Sequence, residues 1–105
     1  MEPDLSRSSD LTPVAPLQQV LAALADPIRL EMVRRLAGTE DGVLACSQLY
    51  DTIGKSTASH HFKILREAGV TQRIVEDGQT NQRLRTDDVE AIYPGVLRSI
   101  VSVAR

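Results

Sequence analysis

The chain has 105 residues, a length that suits one domain with a modest core. Its formal net charge of −2 neither supports nor excludes a nucleic-acid partner, because binding depends on where the charges lie. Its single cysteine, Cys46, excludes an internal disulfide, and its apolar runs are far shorter than the roughly 20 residues that span a bilayer. We therefore predict a soluble, cytoplasmic protein without a membrane segment.

The first 16 residues contain three prolines, three serines and three acidic side chains. This composition predicts a mobile N-terminal tail over residues 1–16 and a folded domain over residues 17–105. Apolar residues then recur at helical spacing from Leu17 to Leu24, which predicts a first helix that ends near Ala25.

The second helix is predicted to begin at Asp26-Pro27. Aspartate is a strong N-cap, and proline at the first helical position loses no intrahelical hydrogen bond. Gly38 is placed to end this helix. After a polar loop, a short third helix is expected within residues 43–53, starting between Val43 and Cys46.

A fourth helix is predicted after the turn at Gly54 and Lys55. Ser56 is a good N-cap for it, and the helix should run to Ala68, with Gly69 just beyond its end. A short helix, a turn that contains glycine and a second helix are typical of a helix-turn-helix unit.

A β-hairpin and further helices complete the chain. Thr71–Glu76 and Thr80–Arg85 are extended segments around Asp77-Gly78, a dipeptide that favours a tight hairpin turn. Thr86 can cap a fifth helical region, which Pro94-Gly95 breaks before a last helix that is predicted from Pro94 onwards. The predicted fold is mostly α with a small β-hairpin, the winged helix-turn-helix.

The fourth helix has two faces of different chemistry, given about 100° of rotation per residue. The face that must meet the core comprises Ala58, Phe62, Leu65 and Gly69. The opposite face carries Ser56, His60, Lys63 and Glu67. Hydroxyl, imidazole and ammonium groups suit a DNA major groove, and residues 55–85 carry a net charge of +3 while the rest of the chain carries −5.

Two stretches resemble the ArsR/SmtB repressors. ALADPIRLEMVRRL at residues 23–36 is similar to the second-helix signature of that family, and KSTASHHFKILREAG at residues 55–69 is similar to its recognition helix. With the hairpin, the likeness covers about residues 17–104. It implies a winged-helix homodimer that represses transcription by occupying an inverted-repeat operator in double-stranded DNA.

The resemblance also implies roles for individual residues. The family's base-reading positions correspond to Ser56, Thr57, Ser59 and His60, and the hairpin would be the wing. With the basic residues, the predicted DNA contacts are Lys55, Ser56, Thr57, Ser59, His60, Lys63, Arg73 and Arg83. The family's dimer interface, built from the first and last helices, predicts that the partner contacts are Leu17, Val20, Leu21, Leu24, Leu97, Ile100, Val101 and Ala104.

The sequence departs from the family where metal is often bound. The usual Cys-x-Cys pair of the third helix is reduced to Cys46 alone, and Asp87 and Asp88 of a last-helix site have no histidine nearby. A tight zinc site needs three or four ligands, so we predict no metal and no cofactor.

Several alternatives stay open at this point. Ser56 could serve only as a helix cap, and Cys46 is either a small buried apolar residue or a redox switch. The signal that releases DNA is an unidentified small-molecule effector, a redox change, a partner protein or nothing. A winged helix used only for protein contacts is the alternative function, whereas an enzyme lacks a convergent catalytic set.

Overall fold

The computed structural model describes residues 11–104. The helices in this range are α1 (Leu17–Leu24), α2 (Pro27–Ala37), α3 (Lys55–Glu67), α4 (Thr86–Ile92) and α5 (Val96–Val103). The strands are β1 (Val43–Ala45), β2 (Thr71–Glu76) and β3 (Gln79–Leu84), which form an antiparallel sheet in the order β1-β3-β2. The predicted fold class, mostly helical with a hairpin wing, is confirmed.

The corner between α1 and α2 forms as its sequence predicts. The Asp26 carboxylate accepts hydrogen bonds from the backbone N–H groups of Ile28 and Arg29, at 2.8 and 3.0 Å, and Pro27 occupies the first helical position. Burial raises the pKa of Asp26, but the Arg29 N–H, the Arg29 charge and the Ile28 N–H outweigh it and hold that pKa below its ordinary value. The carboxylate is therefore charged and capping at neutral pH.

The predicted third helix over residues 43–53 is wrong. Val43–Ala45 instead form β1, which pairs with β3 in the register Val43↔Arg83, and only Cys46–Gln48 coil, as a single 3-10 turn. Pairing with a distant strand satisfies the backbone groups that a helix would have bonded locally. The first half of the helix-turn-helix unit is consequently one short turn and a loop that leads to Gly54.

The hairpin turn is confirmed. Asp77 has φ 53° and Gly78 has φ 78°, the left-handed pair that a two-residue turn between antiparallel strands requires. Glu76 and Gln79 face each other directly across this turn. The second strand therefore begins one residue earlier than expected, and it ends at Leu84.

Three predicted helix ends differ from the observed ones. α3 begins at Lys55 with Gly54 as its N-cap, so Ser56 lies inside the helix and does not cap it. Thr86 is likewise helical rather than a cap. The break at Pro94-Gly95 is confirmed, and α5 starts at Val96, beyond the predicted start at Pro94.

Residues 12–16, which we term the strap, pack against the domain although they were predicted to be part of a mobile tail. The Ala15 N–H donates to the carbonyl of Ala68 at 3.0 Å, and the Tyr93 hydroxyl donates to the carbonyl of Ala15 at 2.7 Å. The predicted boundary at residue 16 is therefore too late. Residues 1–10 of the predicted tail lie outside the described residues.

Gly69 is what allows the strap to approach the end of α3. It has φ +80°, and a Cβ atom there would lie 2.6 Å from Val14 Cα and 2.8 Å from the carbonyl oxygen of Pro13. A side chain would therefore be strained by the backbone conformation and would also collide with backbone atoms.

Candidate nucleic-acid interface

Helix α3 presents a polar face to solvent. Its buried residues are Ala58, His61, Phe62 and Leu65. Its exposed residues include Lys55, Ser56, Thr57, Ser59, His60 and Lys63. Burial thus follows the predicted division of the helix, and six of the eight predicted DNA contacts lie on one exposed face.

The amino-terminal end of α3 is open. The first intrahelical hydrogen bond runs from the Ala58 N–H to the carbonyl of Gly54, and Gly54 supplies no side-chain cap. The N–H groups of residues 55–57 therefore precede the helical ladder and are available to an acceptor in solution. Together with the positive end of the helix dipole, they favour an anion at this end.

A polar cluster beneath α3 fixes its orientation. His61, which is 9 % exposed, accepts a hydrogen bond at Nδ1 from Arg29 Nη1 at 3.1 Å. Arg29 Nε also donates to the carbonyl of Ala23 at 2.7 Å, in the last turn of α1. The Arg29 guanidinium thus joins α1, α2 and α3. It holds His61, which is next to the predicted base reader His60.

A cavity of about 410 Å³ lies between α3 and the hairpin. We term it the α3–wing groove. Its lining residues are Cys46, Tyr50, Lys55, Ser59, Phe62, Lys63, Arg66, Arg73, Thr80 and Gln82. The lining includes four cationic side chains and no carboxylate.

These four cations differ from the other basic residues of the described chain. Each of the remaining arginines there donates a hydrogen bond or forms an ion pair, namely Arg29, Arg34, Arg35, Arg83, Arg85 and Arg98. Within residues 11–104, Lys55, Lys63, Arg66 and Arg73 have neither kind of contact. All the lysine and arginine charge without a partner in this part of the chain therefore faces one groove.

The register of the hairpin separates Arg73 from Arg83. Arg73 lies opposite Gln82, so both side chains project to the face that lines the groove. Arg83 projects to the other face, donates to Gln72 Oε1 at 2.9 Å and lines a separate cavity beside α5. The structure thus brings Arg73 to the predicted DNA site but not Arg83.

Arg66 belongs to the groove but is missing from the predicted site. It lies three residues after Lys63, and residues at this spacing are neighbours on a helix surface. The spacing from Lys63 is the sequence signal that could have identified Arg66. Its helix position places Arg66 near the edge of the polar face, and the hairpin lies beside that edge, so that Arg66 lines the cavity between them.

Cys46 lies at the inner side of the groove as a half-buried thiol. Burial raises its pKa, although the hydrogen bond from Gln82 and the charges of Arg73 and Arg66 oppose the shift. The residue is therefore a thiol, not the reactive thiolate, at neutral pH. Residues 11–104 contain no group of three histidine, cysteine or carboxylate side chains that could hold a metal ion.

Comparisons with known proteins identify the class of regulator. A family model described as a helix-turn-helix domain matches residues 24–72. The HTH-type transcriptional regulator YceK of Bacillus subtilis (strain 168), itself uncharacterized, is 37% identical over 86 residues, which is 78% of this chain and 83% of that protein. The chain belongs to the helix-turn-helix transcriptional regulators. Its function is DNA-binding transcriptional regulation and not catalysis.

Two crystal structures extend the likeness of this regulator at the level of fold. An ArsR family transcriptional regulator superposes with a TM-score of 0.62 at 19% identity, over 79% of this chain and 84% of that one. The transcriptional repressor BigR from Xylella fastidiosa also gives a TM-score of 0.62, at 23% identity over 94% and 90% of the two chains. The regulator therefore has the ArsR-family fold that its two motifs predicted. None of its helices between residues 11 and 104 has the length and apolar run that a bilayer crossing requires.

Proposed function

We propose that this regulator is a repressor that binds an inverted-repeat operator as a homodimer in the cytoplasm. Helix α3 would enter the major groove, and the β2–β3 hairpin would lie along the backbone as the wing. The observation that carries the proposal is the concentration of cations without partners on α3 and the hairpin, beside an exposed row of hydroxyl and imidazole groups.

The interface divides into two kinds of contact. Ser56, Thr57, Ser59 and His60 lie in the amino-terminal half of α3, the part of a recognition helix that reaches base edges. Lys55 and Lys63 flank this row and suit backbone phosphates, because an ammonium group binds them as a point charge. Two such helices in a symmetric dimer would lie about 34–36 Å apart, one turn of B-DNA.

The test compares His60→Ala with Lys63→Ala. Duplexes selected from a random pool supply the operator, and a scrambled duplex is the reference. We expect His60→Ala to cost about 1–3 kcal/mol on the operator and much less on the scrambled duplex. Lys63→Ala should weaken both duplexes and reduce the salt dependence of binding. Equal losses on both duplexes for His60→Ala would show that His60 does not read bases.

Repression itself needs a separate measurement. A reporter gene whose promoter overlaps the selected operator should be transcribed less when the regulator is present, because the bound dimer occludes the promoter. An increase in transcription would make the protein an activator, while leaving the DNA contacts as proposed.

The dimer proposal rests on apolar side chains that this chain leaves uncovered. Leu17 and Leu21 of α1 are 37% and 42% exposed, and Ile92 and Val103 near the other end of the chain are 54% and 70% exposed. Uncovered apolar surface of this kind favours association with a second copy. Ile100, Val101 and Ala104 are half-buried and can contribute at the edge.

Three residues of the predicted dimer interface lie in the core of their own subunit. Val20, Leu24 and Leu97 are 0%, 4% and 1% exposed, because they pack into the core of their own subunit. Their apolar spacing predicts a partner face, but each of the two helices uses part of its apolar stripe for the core of its own subunit. The proposed interface is therefore narrower than the predicted one.

Leu21→Glu tests the dimer, with Val75→Glu as its control. Both residues are similarly exposed, at 42% and 49%, but Val75 lies on the hairpin. Sedimentation at micromolar concentration should give a dimer for the wild type and for Val75→Glu, and a monomer for Leu21→Glu, because a buried carboxylate opposes association. A monomeric wild type would contradict the proposal.

Metal and thiol chemistry are not part of the proposed mechanism. One equivalent of zinc, cadmium, nickel or arsenite should leave the affinity for the operator unchanged, and Cys46→Ser should keep repression intact. Release of DNA by any of these ions, or loss of regulation in Cys46→Ser, would replace this proposal with a metal or redox sensor. A small-molecule effector remains a proposal without an assigned site.

A further inference from the structure

We infer that the α3–wing groove is a binding site for a single phosphate group. The inference rests on the proposed mode of DNA binding and adds a defined subsite to it. The subsite is centred on Arg66 and Arg73, which approach the groove from α3 and from the hairpin.

The charges in the groove favour an anion. Lys55, Lys63, Arg66 and Arg73 line one cavity of about 410 Å³ and have no carboxylate partner within residues 11–104. Like charges in one cavity repel each other, and an anion that enters would be attracted to all four.

The hydrogen-bonding groups of the groove also suit a tetrahedral oxyanion. Each guanidinium offers several N–H donors in a planar fork that matches phosphate oxygens. Ser59 and Thr80 add hydroxyl groups to the lining. Phosphate has acceptor oxygens on every side, so it can use donors from both walls of the groove at once.

Gln82 supplies a buried polar group at the same place. Its side chain is 1% exposed, its Nε2 lies 3.8 Å from Cys46 Sγ, and its Oε1 has no hydrogen-bond partner. Rotating the amide by 180° lets the Cys46 thiol donate to Oε1 and leaves the NH₂ group to serve an acceptor. A buried group left without a partner is costly, and a ligand or a bound water would satisfy it.

The phosphate group has two possible sources. The groove adjoins the exposed face of α3, so a DNA backbone that follows the wing would place one phosphate in it. Inorganic phosphate has the same chemistry and would occupy the groove when DNA is absent. Free phosphate should then compete with DNA more strongly than chloride at the same ionic strength.

The first arm of the experiment uses the protein without DNA. Inorganic phosphate is titrated at constant ionic strength while backbone amide resonances are recorded. We expect saturable shifts around Cys46, Arg66 and Arg73 in the wild type, and none in the double variant Arg66→Gln/Arg73→Gln. Arg83→Gln, the same change on the opposite face of the sheet, should behave like the wild type.

A second variant keeps the test informative if the double variant does not fold. Thr80→Asp introduces a carboxylate into the groove at a half-exposed position and should abolish the phosphate-dependent shifts by repulsion. Its folded state is checked by its thermal unfolding. Saturable shifts that persist in both folded variants would overturn a free-phosphate site.

The second arm uses operator duplexes in which one phosphate at a time is replaced by a neutral methylphosphonate. In the wild type, replacement at one position in each half-site should weaken binding about tenfold, the value of a charge-assisted hydrogen bond. The same replacement should have no effect on Arg66→Gln/Arg73→Gln, whose affinity is already reduced. Arg83→Gln should respond as the wild type does.

The outcomes separate the two proposals. A positive first arm identifies free phosphate as an occupant, and a positive second arm identifies the DNA backbone; either supports a phosphate site. If the wild type prefers its operator but both arms are negative, the phosphate site is wrong and the proposed function stands. If the wild type does not prefer an operator over scrambled DNA, the proposed function fails first.

Discussion

The two ends of helix α3, the proposed recognition helix, differ in what surrounds them. At its amino-terminal end, a Cβ atom added to Gly54 would meet nothing within 4 Å, and no side chain caps the helix. At its carboxyl-terminal end, the strap backbone touches Gly69, and Ala15 is hydrogen-bonded to Ala68. A helix that must meet a ligand needs free polar groups at one end and a rigid attachment at the other, and α3 combines the two.

The largest expected effect comes from Gly69→Ala, which attacks the attached end. The left-handed backbone and the collision with the strap should together lower the free energy of unfolding by about 2–4 kcal/mol. Denaturant unfolding measures this change. Gly54→Ala at the open end is the matched control and should change stability by less than about 1 kcal/mol, because Ala is only a poorer N-cap than Gly. Equal losses of stability in the two variants would show that the two ends of α3 do not differ in how firmly they are held.

Arg85→Gln tests the side-chain attachment of the strap. Arg85 is 6% exposed, donates from Nε to Asp88 Oδ2 at 3.0 Å and also donates to the carbonyl of Thr12. Loss of these charge-assisted bonds should lower the free energy of unfolding by about 2 kcal/mol. Arg73→Gln, which removes an arginine without such contacts, should leave stability within about 0.5 kcal/mol of the wild type. A stable Arg85→Gln protein would show that the hydrogen bonds of Ala15 with Ala68 and Tyr93 hold the strap without Arg85.

Asp26→Ala removes the cap of α2, next to the Arg29–His61 cluster that supports the middle of α3. It should cost about 1 kcal/mol at neutral pH. Because the folded-state pKa of Asp26 is depressed, its charge stabilises the fold above its unfolded pKa, and this contribution is lost as the pH falls through the folded value. The difference from the wild type should therefore shrink in acid. Asp26→Asn, which can still cap, is the control, and a difference independent of pH would contradict the charge argument.

The smallest expected effect is that of Ser56→Ala at the open end. Ser56 is exposed inside the first turn and makes no cap, so stability should stay within about 0.5 kcal/mol of the wild type. Binding to the operator should weaken, because Ser56 lies in the predicted base-reading row. A loss of about 1 kcal/mol in unfolding experiments would restore Ser56 to the capping role that the sequence left open.

Features set by neighbouring residues could be predicted from the sequence. The Asp26-Pro27 helix start and the Asp77-Gly78 turn follow from local backbone preferences, and both are confirmed. Strand β1 could not be predicted, because it depends on pairing with β3, far along the chain, and not on its own three residues.

The candidate site shows the same limit. The exposed face of α3 follows from helix geometry, so its polar residues were identified. Whether Arg73 or Arg83 joins them depends on which face of the sheet each occupies, and a one-residue change of register exchanges the faces. The helical stripes at Val20 and Leu97 were equally ambiguous, since apolar spacing does not tell a subunit's own core from a partner's surface.

The strap has a practical consequence for how this protein is cut or fused. A fragment that begins at Pro16 would lose the N–H and carbonyl of Ala15, which leaves the Ala68 carbonyl without its donor and the Tyr93 hydroxyl without its acceptor. It would also uncover Gly69, which is buried in the intact chain and lies against Pro13 and Val14. Truncations intended to isolate the DNA-binding unit should therefore retain Thr12, and affinity tags that are to be removed by a protease need their cleavage site ahead of that residue.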